Sequence, residues 1–230
     1  VIALLDEGNT IPFIARYRKE AHGAMDDTTL RALEQRLQYL RNLDARRAEV
    51  KSSIDSQGKL TDELSAAIDA AATLAEVEDL YRPYKQKRRT RATVAREKGL
   101  APLAEAIFAQ ARDMAAPDVL AQDYLDAEKG VETVADALQG ANDIIAEQIS
   151  DDAEIRKSLR ALLQKRAALG SKAADPDIDS VYRLYYDFSQ PISKLQSHQI
   201  LALNRGEKEG FLKLNLNMDR DTALQSLRRM

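Results

Sequence analysis

Leu30, Leu33, Leu37, Leu40 and Leu43 recur at spacings of three and four, and Val50 and Ile54 continue the series. That period puts apolar side chains on one face of an α-helix, with polar residues on the other. The spacing predicts one amphipathic helix from Asp27 to Ser56, opened by the Asp26-Asp27 pair. At 1.5 Å per residue it spans roughly 40 Å, long enough to organise the elements around it. Arg36, Arg41, Arg46, Arg47 and Lys51 lie mostly off the stripe and read as a solvated face in partial i,i+4 pairing.

The rest of the chain agrees with a helical class. Charged residues make up 31% of the 230, aromatics only 5%, and there are nine Gly. Such a profile favours long helices over sheets. The length exceeds one average domain, so two subdomains or one elongated one is expected. The expected class is all-α: an elongated multi-helix bundle with one long central helix, a helix-turn-helix element and a short β-strand near the C-terminus. No apolar run approaches the roughly 18 residues a membrane span needs. No signal or transit sequence is recognisable. The absence of Cys excludes disulfide and thiolate chemistry and suits a cytoplasmic protein. Val1 to Gly8 reads as the second half of a helix stopped at Gly8, as in a piece of a longer polypeptide.

Punctuation divides the remainder. Thr10 and Pro12 open a short helix to Glu20; with the Gly8-Asn9 break this makes the helix-turn-helix element. Gly58 stops the long helix and Thr61 starts another to Ala72. Thr73 and Glu76 have capping-box spacing. Pro83 ends that helix and disfavours helical dihedrals at Arg82, which leaves Lys85 to Arg91 as an extended loop. Further helices are expected from a Thr93 cap to Gly99, from Pro102 to Arg112, from Pro117 to Leu125, from Val131 to Gln139 and from Ala141 to Ile149. Another runs from the Asp151–Glu154 box to Leu169, and a last one, capped by Ser197, reaches Asn204. Gly170 to Gln190 breaks the pattern with a loop and the aromatic run Val181 to Phe188. Leu212 to Met218 alternates apolar and polar like a strand, and its partners are expected beyond Met230.

No catalytic or metal-binding constellation has the residues or spacing it requires. Asp175, Asp177 and Asp179 alternate like an EF-hand loop, but its sixth and twelfth places hold Ser180 and Tyr186 rather than Gly and Glu. His22 and His198 are far apart and have no Cys to join them in a zinc site. Ser197 adjoins His198 in sequence, which does not set a hydroxyl against an imidazole base. Gly206 to Gly210 lacks the spacing and the Lys-Ser/Thr pair of a phosphate loop. Asp26-Asp27 and Asp151-Asp152 sit at helix starts, where the dipole favours carboxylates. No enzyme activity, cofactor, metal or small-molecule substrate is therefore expected.

Charge is the remaining signal. Between Arg82 and Lys98 eight cations face one anion, Glu97; this window carries +7 in a chain of net charge −3, and leaves −10 for the rest. Arg82, Lys85, Lys87, Arg88, Arg89 and Arg91 are the candidate nucleic-acid-binding residues, each able to neutralise a phosphate, with Tyr81 and Tyr84 beside them. The competing reading pairs these cations with the acidic body or an acidic protein partner, and makes the tyrosines core anchors.

Three segments carry a family resemblance: Ile11-Pro12-Phe13-Ile14-Ala15-Arg16-Tyr17-Arg18-Lys19-Glu20, then Asp79 to Thr93 around Tyr81-Arg82-Pro83-Tyr84, then Ser197-His198 through Leu203-Asn204-Arg205-Gly206-Glu207-Lys208-Glu209-Gly210. Together they resemble the N-terminal region of the bacterial Tex family of transcription accessory proteins. Arg82, Ala24 and the Gly170 to Ser180 loop depart from the family pattern. The resemblance implies a helical N-terminal scaffold at 1–170, a loop and helix linker at 171–210, and the start of a RuvC-like (YqgF-type) domain at 211–230. It further implies helix-hairpin-helix motifs and an S1 domain elsewhere in the polypeptide. Such proteins are cytoplasmic nucleic-acid binders tied to transcription, related to a eukaryotic elongation factor that also handles histones, and their main nucleic-acid contact is attributed to the S1 domain. For this chain the expected partners are nucleic acid and the transcription machinery. The alternative is a scaffold that positions the other domains.

Overall fold

A computed structural model describes every residue except Ala24 and Lys87. Helix accounts for 64% of it. The chain forms two compact units, Val1–Lys85 and Gln86–Met230.

The first unit holds α1 (Ile2–Asp6), α2 (Ile11–Tyr17), α3 (Lys19–His22), α4 (Asp27–Asp55), α5 (Asp62–Ala70) and α6 (Leu74–Tyr81). Asp26 caps α4 by accepting from the Thr29 amide at 2.7 Å. Gly58, at φ 65°, provides the left-handed turn after it. The short helix expected to reach Glu20 is interrupted at Arg18 (φ −130°, ψ 40°), where α2 gives way to α3.

The apolar face of α4 is not one stripe. Leu30 packs with Ile11 and Ile14 of α2, while Leu43, Val50 and Ile54 pack with Ile68 of α5 and Val77 of α6. At 100° per residue, Leu30 and Leu43 point about 140° apart around the helix axis. Leu33 and Leu37 are half-buried, and Leu40, between the two clusters, is 40% exposed. Of the cations expected on a solvated face, Arg46 and Arg47 pair locally with Glu49 and Asp44, and three of the five also tie α4 to its neighbours through ion pairs. Arg41 pairs with Asp6 of α1 at 2.6 Å, Arg46 with Glu78 of α6 at 2.6 Å, and Lys51 with Asp69 of α5 at 2.8 Å. Glu78 and then Glu49 raise the pKa of Arg46 by hydrogen bonding its charged form.

The second unit runs α7 (Arg91–Glu97), α8 (Ala101–Ala109), α9 (Pro117–Gln122), α10 (Val134–Asp151), α11 (Ala153–Arg166), β1 (Ala168–Ala173), β2 (Asp187–Pro191), α12 (Ser197–Lys208), β3 (Leu212–Asn217) and α13 (Arg220–Leu227). Ala92, Ala95, Leu100, Leu103, Ala137, Ala141 and Ile144 form the core where α7 and α8 meet α10. Small residues there let the helix backbones approach closely. Gly140, expected as a break between two helices, lies inside the continuous α10. An added Cβ would stand 2.3 Å from Leu100 Cδ1 and 3.3 Å from the Ala95 Cβ.

The all-α expectation gives way here to a mostly helical fold with a small sheet. Its order is β2-β1-β3, antiparallel throughout, with Ser171 opposite both Phe188 and Leu214. The strand expected to find partners beyond Met230 thus pairs with β1. Ala168 and Leu169, read as the end of a helix, belong to that strand, because α11 stops at Arg166. Leu203 of α12, Leu212 of β3 and Tyr182 make a separate core on the sheet. Two caps also differ from expectation: Gln196, not Ser197, caps α12 in a box with Gln199, and Asp152 caps α11 while Asp151 ends α10. Among the described residues no helix is long and apolar enough to cross a membrane.

Candidate nucleic-acid interface

The basic segment begins where α6 runs out. Arg82 keeps helical dihedrals (φ −53°, ψ −42°), contrary to the expectation for a residue before proline. One 3-10 turn, Arg82–Tyr84, follows, and the Lys85 amide closes it on the Tyr81 and Arg82 carbonyls. Tyr81 and Tyr84 are held against the α4–α6 core. The Tyr81 hydroxyl lies 3.0 Å from Ser53 Oγ, and Gln57 Nε2 donates to the Tyr84 carbonyl at 3.1 Å. They anchor the end of the first unit and do not form a free stacking platform. Arg82 and Lys85 are exposed at its surface.

The second unit carries the other cations. Lys87 lies outside the described residues. Arg88 and Arg89 are exposed in the irregular stretch before α7, and Arg91 is the first residue of that helix. Thr90 is the cap, in place of Thr93. Its Oγ1 accepts from the Thr93 amide at 3.1 Å and bonds Glu147 of α10 at 3.0 Å. Arg89 Nη2 meets Glu97 Oε2 at 2.9 Å, and Arg96 Nη1 meets Glu147 at 2.6 Å. Lys98 Nζ donates to the Gly130 carbonyl at 2.7 Å. Beside them lies an open groove of about 550 Å³ lined by Arg89, Thr90, Arg91, Lys98, Asp136 and Asp143 among others.

The eight cations of the sequence window therefore differ in kind. Arg89 and Arg96 spend part of their charge on carboxylates of their own unit. Lys85, Arg88 and Arg91 are exposed and make no ion pair or side-chain hydrogen bond among the described residues. Sequence spacing does not separate the two groups. Glu147 is 51 residues from Arg96, and Glu97 is eight from Arg89, outside the i,i+3 and i,i+4 neighbours of a helix. Elsewhere His22 is buried, and among the described residues neither of its ring nitrogens has a hydrogen-bond partner, whereas His198 is exposed in α12. The three alternating aspartates serve the loop itself: Asp175 accepts from the Asp177 amide at 3.0 Å, and Asp179 pairs with Arg183 at 3.0 Å.

The model of the Tex-like protein N-terminal domain matches residues 1–55, and that of the Tex central region matches residues 112–229. The chain belongs to the Tex family. It is 49% identical to the uncharacterized protein YdcI of Bacillus subtilis (strain 168), over 96% of this chain and 31% of that protein. It is 45% identical to the transcriptional accessory protein Tex of Neisseria gonorrhoeae, over 96% of this chain and 29% of the relative. Human S1 RNA-binding domain-containing protein 1 is 33% identical over 95% of this chain and 22% of its own length. The chain spans less than a third of the length of these Tex-family relatives.

Proposed function

We propose that this Tex-family chain is a non-catalytic helical module of a cytoplasmic transcription accessory protein, and that it contacts the phosphate backbone of nucleic acid through Arg82, Lys85, Lys87, Arg88, Arg89 and Arg91. One observation carries the reading. The cations of α4 are taken up by carboxylates or, for Arg36, by the Tyr39 ring at 5.1 Å, but Lys85, Arg88 and Arg91 are exposed and make no ion pair among the described residues. Crowded like charges repel, so an anion from outside relieves them. A backbone of regularly spaced phosphates suits a short irregular run of Lys and Arg, and contacts to phosphate carry no sequence information.

Six neutralised phosphates would give a salt slope of log affinity near about −5 on duplex DNA. The variant Lys85→Ala/Arg88→Ala/Arg91→Ala is expected to weaken binding on every sequence alike and to flatten that slope by about three. Fluorescence anisotropy against single- and double-stranded RNA and DNA, titrated with salt, checks this. Unchanged binding with a lowered melting temperature would mean that the cations serve the protein's own surface. The reading would then pass to the scaffold role, in which the module positions RuvC-like, helix-hairpin-helix and S1 domains or docks on the transcription machinery. The tight interhelical ion pairs of α4 favour that second reading.

The non-catalytic part has its own test. No nuclease or NTPase turnover is expected, because the sequence carries no nucleophile–base or phosphate-loop motif. Turnover that co-purifies with the chain and vanishes in His198→Ala would refute it.

A further inference from the structure

The connection from β1 to β2, residues 174–186, presents two apolar side chains that the fold makes no attempt to bury. Val181 is 88% exposed and Leu184 87%, more than any other large apolar residue among those described, and Ile178 before them is 49% exposed. The segment is nonetheless closely tied down. The Ala174 amide donates to the Phe211 carbonyl at 2.8 Å, and Ser171 Oγ to the Tyr185 carbonyl at 2.5 Å. The Tyr186 hydroxyl bonds both the Ile178 carbonyl and Ser180 Oγ. Tyr182 is buried, and its hydroxyl donates to Glu209, the C-cap of α12, at 2.8 Å. Burial of the Tyr182 ring and the Glu209 carboxylate raise the pKa of that hydroxyl, so it stays a donor.

The tyrosines thus turn inward and hold the backbone, and Val181 and Leu184, three residues apart at a 3-10 turn (Arg183–Tyr185), are left pointing into water. Scattered exposed apolar residues are ordinary; neighbouring ones on a fixed loop mark a contact surface. The charge around them selects the partner. Residues 174–187 contain four aspartates (Asp175, Asp177, Asp179, Asp187) and one arginine, Arg183, a net charge of −3, and Arg183 is engaged by Asp179.

We propose that this loop is a docking surface for a partner-protein segment that carries two apolar side chains flanked by Lys or Arg. The apolar pair supplies the contact, and the aspartates attract the flanking cations and repel acidic segments and nucleic acid. The surface is thereby distinct from the basic segment.

Three labelled peptides of equal length test it against the 230-residue chain by anisotropy. The first has two Leu flanked by Lys, the second the same Leu flanked by Glu, and the third Lys flanks with Ser in place of Leu. Only the first is expected to saturate, with an affinity that falls as salt rises. Val181→Ser/Leu184→Ser is expected to weaken it at least about tenfold, and Asp175→Asn/Asp177→Asn about threefold. Both variants should melt with the parent, the first because the two side chains are already in solvent. The proposal is overturned if the first peptide does not saturate, if the Glu-flanked peptide binds equally, or if the serine variant binds as well as the parent. It also falls if sedimentation shows that the parent self-associates and the serine variant does not, since the occupant is then a second copy of the chain.

Discussion

Leu43→Asp and Ile54→Asp will each lower stability by several kcal/mol, whereas Leu40→Asp will change it by less than about 1 kcal/mol. Ile54 is fully buried and Leu43 is 2% exposed, both against α5 and α6, so a carboxylate there enters an apolar cluster with no donor to meet it. Leu40 belongs to the same apparent heptad-like series but is 40% exposed. Its place is taken by Tyr39, which packs on the α4–α6 core and whose hydroxyl reaches the Leu74 amide at 3.4 Å. Urea denaturation followed by far-ultraviolet circular dichroism separates the cases. Equal losses at Leu40 and Leu43 would mean that the face of α4 has been assigned to the wrong side.

Gly206→Ala is expected to destabilise the second unit even though alanine is the better helix former by about 1 kcal/mol. A Cβ at Gly206 would stand 2.6 Å from Leu212 Cδ1, 2.9 Å from its Cγ and 3.1 Å from Tyr182 Cγ. Leu212 and Tyr182 are the buried contacts by which α12 sits on the sheet, so both must move. Overpacking of this kind costs about 1–3 kcal/mol and outweighs the propensity gain. Gly140→Ala should behave alike, because the buried Leu100 is forced from its place in the core against α10. A raised melting temperature in either variant would show that these glycines are not there for close approach. A helix glycine at an open site would have given that opposite sign.

Among the described residues, what proved legible was local. The α4 boundaries, the Asp26, Thr61 and Thr73 caps and the Gly58 stop depend on hydrogen bonds within four residues or on one dihedral angle. The family could be read because its resemblance lies in short runs of unusual composition. The sheet was not legible beyond β3. Ala168 to Ala173 (Ala-Leu-Gly-Ser-Lys-Ala) has no strand propensity to separate it from the preceding helix, and it becomes a strand only because β2 and β3 flank it.

The same division runs through the candidate interface. Sequence by itself determined that cations crowd between Arg82 and Lys98 and that Pro83 ends a helix there, since charge and the missing proline N–H are properties of the residues alone. Tertiary structure alone decided which cations remain available. Glu147 comes to Arg96 only when α10 packs on α7, and Glu97 to Arg89 only when the chain turns into α7, while Arg88 and Arg91 meet neither. It likewise decided that Tyr81 is an anchor, because Ser53 and Arg46 of α4 are what its hydroxyl and ring meet. A Coulomb partner is chosen by distance in space, and distance in space between residues dozens apart exists only after the helices have packed.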